Sequence, residues 1–391
     1  MTERMPAFFI VGGGASYLPL LKAARRDGLY VVVIDRDSDA PAGRVAHRFA
    51  RISTHDTAAM VELVGELERE RGLAGVFTYA SDARALESTA VVAQEFDLPG
   101  PTPGLVRLLA DKGEMKRVLQ ASGVPTPRWA IASKESEAVE FGRSLSGPVL
   151  LKPASGTVGS LGVSRPEGID GIGAAFHAAA TRSLDERVLV EALVPGEELS
   201  VNGMVVEDEP CVLAVCRKRN HGPERNFMIS GFSTLDPEDK RATAASRIAG
   251  DAARALGIRD SFFAADVIVN EGAATLLEIG LLLDAKIDRL LAFTGADIYT
   301  CTCALATGGI GPAMTPCPDG FALRFLYGLE ADRGGPSPNG RPWVVEWERD
   351  RFPSASLADS FGWVLCRGED SETADRLSRE VAERCGATLS E

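Results

Sequence analysis

Two carboxylates twelve residues apart are the strongest chemical signal in this chain. Asp266 and Glu278 each stand inside an apolar run, in the segment DVIVNEGAATLLEIG. A lone acid among Leu and Ile is costly to bury unless a cation meets it. If a three-residue turn, 271–273, joins two strands here, the acids lie opposite each other on one face, about 5 Å apart.

Two carboxylates at that separation need a cation between them. Mg²⁺ takes carboxylate oxygens together with water and phosphate oxygens. We therefore predict that Asp266 and Glu278 hold Mg²⁺ for a phosphate ligand. The alternative is an even-numbered turn, which would send the two acids to opposite faces and leave one of them salt-bridged.

A lysine followed by a glycine-rich loop is the second signal. Lys152 ends the apolar run PVLL, and PASGTVGSLG follows it. Small residues let backbone N–H groups approach an anion. No GK[ST] follows the glycines, so this is not a Walker loop. The pattern favours a hairpin that folds over phosphates, against the alternative of a solvated glycine-rich loop.

The segment VLVEALVPGEELSV, 188–201, is the third signal. An adenine needs an apolar slot with backbone donors and acceptors at its edge, and a ribose needs an acceptor for its hydroxyl groups. An apolar strand running into Glu191, with Glu198 beyond the turn, could supply both. Taken alone, the segment is an ordinary strand and turn.

The first ~100 residues alternate strands with helices, which predicts βαβ units and a parallel sheet. Ligands of such sheets lie beyond the carboxyl ends of the strands, where this chain has Gly12–Gly14, Asp35–Asp37 and Ser81-Asp82. The third glycine position of a dinucleotide fingerprint falls on Tyr17, so the signal for a nicotinamide site is weak.

Composition excludes several functions. The 391 residues carry a formal net charge of −13, which argues against nucleic acid or anionic membrane as the main partner. No apolar run reaches the length of a membrane span, and we expect no signal peptide because the N-terminus leads straight into a strand. Seven cysteines without a C-x-x-C pair indicate reduced thiols and a cytoplasmic location.

Together these segments resemble the ATP-grasp superfamily, in its carboxylate–amine ligase and biotin-carboxylase-like branch. The resemblance covers nearly the whole chain and includes ADKGEMKRVLQASGVPTP, 110–127. It implies an α/β fold with an N-terminal parallel βαβ domain over 1–105. A two-lobed ATP-grasp core would follow over 106–310, with a small lid at about 127–190, and a small β-rich C-terminal domain over 311–391.

The resemblance also implies roles for single residues. Lys112 and Lys152 would contact the phosphates of ATP, Glu198 would hold the ribose, and Asp266 and Glu278 would bind Mg²⁺. The 155–162 loop would cover the phosphates, and a short backbone segment would hold the adenine edge. The residues expected in these two parts are Ser155, Gly156, Gly159, Ser160, Glu191, Ala192, Leu193 and Val194.

The sequence departs from the family pattern after Glu278. Where the family usually has Asn and then Arg, this chain has Gly280 and Leu282. Leu161 also stands where a basic residue is common. Gly280 in place of Asn removes a metal ligand. Leu282 in place of Arg removes a cation that steadies the carboxylate or the transferred phosphoryl group.

Other cations could stand in for the missing arginine. Lys286 and Arg289 are three residues apart on a predicted helix, so they can share a face. Arg324, with apolar neighbours in ALRFLY, is the strongest candidate, and the basic run 217–219 and Arg225 are further candidates. The alternative for each is a solvated surface cation.

The predicted function is an ATP-dependent ligase that joins a small carboxylic acid or amino acid to an amine. Through an acyl phosphate it would release ADP and phosphate, with ATP and Mg²⁺ required. One alternative is a carboxylase that activates bicarbonate, and another is a catalytically degenerate ATP-binding protein. A homodimer is an expectation from the family alone.

Overall fold

The computed structural model describes residues 4–156, 161–220, 229–293, 297–309, 311, 318, 320–327, 343–348 and 360–385. Its N-terminal strands are β1 (Ala7–Val11), β2 (Tyr30–Ile34), β3 (Arg48–Ala50) and β4 (Leu73–Phe77), and its first helices are α1 (Leu18–Arg26), α2 (Thr57–Arg71) and α3 (Ala83–Glu95). The strands form a parallel sheet in the order β3-β2-β1-β4. The alternating strands and helices predicted this sheet, and the prediction is confirmed.

A small antiparallel sheet follows, which we call the lid sheet. The helices before and around it are α4 (Pro103–Ala110), α5 (Lys112–Ala121), α6 (Glu135–Ser144) and α7 (Ile172–Ala180), and its strands are β5 (Trp129–Ala132), β6 (Val149–Pro153) and β7 (Val188–Ala192). The strand order is β5-β7-β6. Helices α6 and α7 cover one face of the lid sheet, where Ala138, Leu151 and Phe176 share a buried core.

The rest of the chain builds a larger antiparallel sheet. Its strands are β8 (Glu197–Val206), β9 (Glu209–Asn220), β10 (Ile229–Thr234), β11 (Ser261–Asn270), β12 (Ala273–Gly280), β13 (Phe321–Tyr327), β14 (Val344–Glu348) and β15 (Ser360–Arg367). The order is β12-β11-β8-β9-β10-β13-β15-β14. The remaining helices are α8 (Lys240–Leu256), α9 (Ile287–Phe293), α10 (Ile298–Thr307) and α11 (Ser371–Arg384).

The two faces of the large sheet have different covers. Ala265 and Val267 of β11 pack in one core with α8, and Leu326 and Val364 pack against α11 on the same face, which we call the back face. Residues between them, such as Asp266, point to the other side, which we call the front face. Helices α9 and α10 cover part of the front face around Phe232 and Trp363.

Helix α10 also packs against the N-terminal sheet, although the predicted domain limits assign it to the core. A Cβ atom on Gly75 of β4 would lie 2.0 Å from the carbonyl oxygen of Ala306, so only glycine allows this approach. The guanidinium of Arg26 donates to Asp297 at 2.7 Å, which joins α1 to the start of α10. The predicted domain boundaries stay predictions.

In the described part of the chain, no helix is by itself long and apolar enough to cross a membrane. Helices α9 and α10 meet that test only as a pair, by length and composition, with a bend of 115° between them.

Candidate active site

The two predicted metal ligands stand opposite each other on β11 and β12. Asp266 pairs with Glu278 in the antiparallel register. The turn between the strands contains only Glu271 and Gly272, with φ of 49° and 84°, so the predicted three-residue turn was wrong. A bulge at Leu277 restores the pairing. Without it, Leu277 would stand opposite Asp266.

Lys218 of β9 lies among the acids of the front face. Its Nζ is 2.5 Å from Oδ2 of Asp266 and 3.0 Å from Oε1 of Glu198. Burial lowers the pKa of this lysine, but the charges of Asp266, Glu198 and Asp284 outweigh burial and hold the pKa well above its usual value. Sequence reasoning did not single out Lys218, and its only signal was a place in the basic run 217–219.

A third carboxylate, Asp284, follows directly after GLLL. It accepts a short hydrogen bond from Oγ of Ser200, and its N–H donates to Oδ1 of Asn202 at 2.8 Å. Burial raises the pKa of Asp266 and Lys218 lowers it, while the charges of Asp284 and Glu198 raise it further, so that the pKa reaches about 7. The front face therefore concentrates negative charge around Asp266.

The residues present fit Mg²⁺ as a partner of a phosphate ligand. Burial raises the pKa of Glu278, but Lys112, Lys152 and other cations outweigh burial, and its pKa lies below the usual value. In the described part of the chain, no group of three or more His, Cys, Asp or Glu side chains could hold a metal ion. Two carboxylates completed by phosphate and water oxygens are a donor set that Mg²⁺ prefers. The metal role of Asp266 and Glu278 stays a prediction.

A buried group of two lysines and one glutamate lies between the lid sheet and the large sheet. Glu191 of β7 is 1% exposed, forms a short ion pair with Lys152 of β6, and lies 3.1 Å from Nζ of Lys116. Burial raises the pKa of Glu191, but the two lysines outweigh burial and lower the pKa to about 2. Lys116 was missed, although its position four residues after Lys112 places both on one side of α5.

Ser155, the first residue of the predicted phosphate loop, is held by bonds inside the protein. It is buried, its Oγ donates to Asp185 at 3.0 Å, and its N–H donates to Oγ of Ser183 at 3.3 Å. These bonds anchor the start of the loop, and the predicted contact of Ser155 with the nucleotide stays a prediction. The partner segment 183–185 is distant in sequence, so no local pattern could reveal it. Gly159, Ser160 and Arg225 lie outside the described residues.

Gly156 follows this anchor with φ of 77°. A Cβ atom there would lie 2.2 Å from Cγ of Leu184, so the start of the loop packs closely on the segment that anchors Ser155. Lys112 also meets the start of the loop, because its N–H donates to the carbonyl of Ala154 at 2.9 Å. Its phosphate contact stays a prediction.

The segment predicted to hold the adenine edge uses part of its backbone inside the protein. The N–H groups of Ala192 and Leu193 donate to carbonyl oxygens of Arg128 and Pro148, each at 2.9 Å. An adenine edge would therefore depend on Val194 and on carbonyl oxygens, and this role stays a prediction.

The ribose role of Glu198 also stays a prediction. Its Oε2 accepts from Nδ2 of Asn220 at 2.6 Å, and its Oε1 meets Lys218 at 3.0 Å. The side chain thus belongs to the charged group of the front face.

Arg324 does not face the carboxylates. It lies on β13 between Leu323 and Phe325, which pack on the front face, so its own side chain points to the back face. There its NH2 donates to Oδ1 of Asp375 at 2.6 Å and its Nε to Oγ of Ser378 at 3.0 Å, both on α11. The prediction that Arg324 points into the site was wrong.

Lys286 and Arg289 do reach the front face. Lys286 precedes α9, and its Nζ lies 5.5 Å from the ring centre of Trp363. The guanidinium of Arg289 lies 3.7 Å from Asp288 and 3.5 Å from Glu346. Their predicted role toward an acid substrate stays a prediction.

The glycine turn of the N-terminal sheet is closed by its own residues. Oδ2 of Asp35 accepts from the N–H of Gly13 at 2.7 Å, and Oδ1 accepts from the N–H of Asp37 at 2.9 Å. A Cβ atom on Gly12 would lie 2.5 Å from the hydroxyl oxygen of Tyr17. The acid that a dinucleotide ribose would need is already engaged, which argues against a nicotinamide site.

Two family profiles match the chain. Residues 109–280 match one described as an ATP-grasp domain, and residues 21–100 match one described as an ATP-grasp N-terminal domain. A formate-dependent phosphoribosylglycinamide formyltransferase from Ignicoccus hospitalis is 30% identical over 50% of this chain and 48% of that protein, so the alignment spans about half of that relative. The enzyme of the same name from Rhodococcus jostii is 24% identical over 98% of this chain and 96% of that protein.

Solved structures share the fold. L-amino acid ligase from Bacillus licheniformis has a TM-score of 0.79 at 19% identity, covering 98% of both chains. The biotin carboxylase domain of Hydrogenobacter thermophilus 2-oxoglutarate carboxylase, a dimer in complex with MgADP, ADP and bicarbonate, has a TM-score of 0.75 at 16% identity, covering 96% of this chain and 89% of that one. The predicted fold class is thereby confirmed.

Proposed function

The chain belongs to the ATP-grasp superfamily, and we propose that it is an ATP-dependent carboxylate–amine ligase. An acid substrate attacks the γ-phosphoryl group of ATP, which gives an acyl phosphate and ADP. An amine then displaces phosphate, and an amide bond forms. The first step makes an acyl O–P bond and breaks the terminal P–O bond of ATP. The second step makes the C–N bond and breaks the C–O bond of the acyl phosphate, so phosphate leaves and the amine releases a proton.

The observation that carries the proposal is the meeting of opposite charges between the lid sheet and the large sheet. Asp266 and Glu278 stand opposite each other on the front face. The positive charges of Lys152 on the lid sheet and Lys218 on the large sheet both lower the pKa of Glu278. Cations from both sheets beside a pair of acids suit a polyphosphate that carries its own metal ion.

The residues would contribute to catalysis by position and charge. Asp266 and Glu278 would hold Mg²⁺, which neutralises phosphate oxygens when it is bound. Lys152 would hold phosphate oxygens from the lid side, and Lys218 keeps a fixed positive charge beside Asp266. Charges that are oriented before the reaction stabilise the transferred phosphoryl group without reorganising during the step.

We assign the acid substrate to the side of the front face that Lys286 and Arg289 reach. Leu282 removes the cation that the family pattern places near Glu278. Arg289 is oriented by Asp288, whose Oδ2 also accepts from the hydroxyl of Tyr299 at 2.9 Å. A guanidinium held in this way can form paired hydrogen bonds with a carboxylate.

The relatives support a small acid and an amine as the substrate classes. Their names include formate, phosphoribosylglycinamide and L-amino acids. A D-alanine–D-alanine ligase from Cupriavidus taiwanensis is 30% identical over 54% of its length. We propose substrates of these kinds. A second copy of the chain is proposed as a partner because the biotin carboxylase domain described above is a dimer.

The test measures release of ADP and phosphate from Mg-ATP with pools of small carboxylic acids and amines. We expect release that depends on one acid and one amine, and mass spectrometry should find a product lighter than its two parents by one water. Glu278→Gln is the control, and it should abolish release because the metal site loses a charge. ATP binding with no release in any pool would overturn the ligase and favour an ATP-binding protein without turnover. Analytical sedimentation of the purified protein tests the dimer. We expect twice the mass of one chain, and the mass of a single chain would refute the dimer.

A further inference from the structure

Lys116 is a cation with no contact to solvent, and the proposed mechanism does not use it. It lies on α5 and is 0% exposed. Its Nζ is 3.1 Å from Oε2 of Glu191 and donates to the carbonyl oxygen of Leu277 at 3.1 Å. An ammonium group is among the most expensive groups to bury, so its retention here indicates a specific task.

The partners of Lys116 come from both sheets. Glu191 belongs to the lid sheet, and Leu277 is the bulge residue beside Glu278 on the large sheet. Glu191 also forms an ion pair with Lys152, which reaches it from the neighbouring lid strand. One buried carboxylate is thus shared by two lysines, one with each of its oxygens.

The sharing matters when Lys152 turns to a phosphate. If Lys152 were the only partner of Glu191, moving its charge would leave an unpaired carboxylate in the interior, which is strongly unfavourable. Lys116 stays paired with Glu191 in either state. The second lysine therefore removes the electrostatic penalty for moving the first.

We propose that Lys116 is a positioning residue that neutralises Glu191 so that Lys152 is available to the phosphates of the nucleotide. The proposal depends on the nucleotide site described under the proposed function. It concerns phosphate binding alone and would hold whether or not an amide is formed. Lys116 acts through Glu191 and touches no substrate.

The alternative is that Lys116 only joins the sheets, since it contacts Leu277 as well as Glu191. A structural joint would change the stability of the protein and would affect every ligand of the site equally. A partner of Glu191 would affect phosphate binding selectively. Removal of Glu191 would also relieve the defect, which a structural joint does not predict.

The experiment measures binding of Mg-ATP and of adenosine by calorimetry to the full chain and to variants. Lys116→Met should weaken Mg-ATP by about tenfold, the change that roughly 1.4 kcal/mol gives, and should leave adenosine unchanged. The double variant Lys116→Met, Glu191→Gln should recover most of the loss, because no carboxylate is left to retain Lys152. Lys134→Met, an exposed lysine beside α6, is the control for removal of a positive charge and should bind both ligands normally.

Equal weakening of both ligands, unchanged Mg-ATP affinity, or a double variant no better than the single one would each overturn the proposal. If Lys116→Met does not fold, the charge-balanced double variant decides by itself. It should bind Mg-ATP within about threefold of the wild type, and a loss of about tenfold or more would overturn the proposal. A wild-type chain that binds no Mg-ATP would instead refute the proposed function.

Discussion

Asp266 and Glu278 face each other across β11 and β12 because Leu277 adds one residue to the second strand. The bulge has a second effect, since the carbonyl of Leu277 accepts from the buried ammonium of Lys116. The register of the two acids and the position of Lys116 are thus connected through Leu277. Bulges often re-aim side chains next to active sites, and here the bulge aligns two acids.

Lys218→Met should make the protein more dependent on Mg²⁺. The variant leaves Asp266 without the ammonium that lies 2.5 Å away, and breaking such a buried pair should cost about 3 kcal/mol of unfolding free energy. Mg²⁺ should restore part of this loss by taking the place of the lysine charge. Thermal unfolding with and without MgCl₂ measures this restoration of stability. Mg²⁺ should raise the Tm of the variant more than that of the wild type.

The matched control for Lys218→Met is Lys240→Met, an exposed lysine at the start of α8. It should keep the wild-type response to MgCl₂. An equal rise in Tm for Lys218→Met and the wild type would mean that Mg²⁺ does not bind beside Asp266.

Gly280→Asn should strengthen Mg²⁺ binding. Gly280 ends β12 two residues after Glu278, so a side chain placed at 280 would share the front face with Glu278. A Cβ atom at Gly280 meets no atom within 4 Å, and an amide oxygen there could join the carboxylates as a ligand. The Mg²⁺ concentration for half-maximal Tm shift should fall about fivefold, the change that roughly 1 kcal/mol gives.

Gly147→Asn is the control for that substitution. Gly147 is exposed, and its added Cβ would also meet no atom within 4 Å. It should leave the Mg²⁺ concentration unchanged. A Gly280→Asn variant that behaves like Gly147→Asn would show that Mg²⁺ lies beyond the reach of this position.

The sequence predicted the layers of the fold because periodicity and turn residues are local signals. It predicted the pairing of Asp266 and Glu278 but not the bulge at Leu277 that produces it. The carbonyl of Leu277 accepts from Lys116 of α5, which is distant in sequence. It misplaced Arg324 for a different reason. Strand β13 is covered on both faces, so apolar neighbours flank an inward side chain whichever face it points to. The partner that decides, Asp375, is about fifty residues further along the chain.

Glu191→Gln should make the free energy of unfolding less dependent on pH in the acid range. In the wild type, Lys152 and Lys116 hold the pKa of Glu191 at about 2 against the effect of burial, whereas the unfolded chain titrates near the usual value of about 4.3. The group therefore stabilises the fold above about pH 4.3, and this contribution is lost as the pH falls toward 2. The stability difference between wild type and variant should narrow by roughly 3 kcal/mol over that range.

Urea unfolding at a series of pH values measures this difference. Glu209→Gln removes an exposed carboxylate that pairs with Arg254 on the surface, and it should leave the pH dependence unchanged. A gap between wild type and Glu191→Gln that stays constant from pH 5 to pH 3 would mean that Glu191 is not held ionised by the two lysines.

Arg324→Met should lower the stability of the protein and leave the binding of its substrates unchanged. Arg324 is 7% exposed, and its removal leaves the buried carboxylate of Asp375 on α11 without its closest cation. Breaking this pair should cost about 3 kcal/mol of unfolding free energy. Below the unfolding temperature, the KM values for ATP and for the acid should both stay at the wild-type level. The same measurements on Arg289→Met should raise the KM for the acid more than the KM for ATP.

Arg376→Met on the same helix is the control for loss of an ion pair. Its partner is Glu380, and the arginine side chain is 62% exposed, so its removal should change stability little. A selective rise in the KM for the acid in Arg324→Met would contradict the structure, because a side chain on the back face of β13 cannot reach a substrate on the front face. Equal KM values for acid in Arg289→Met and wild type would instead move the acid subsite away from α9.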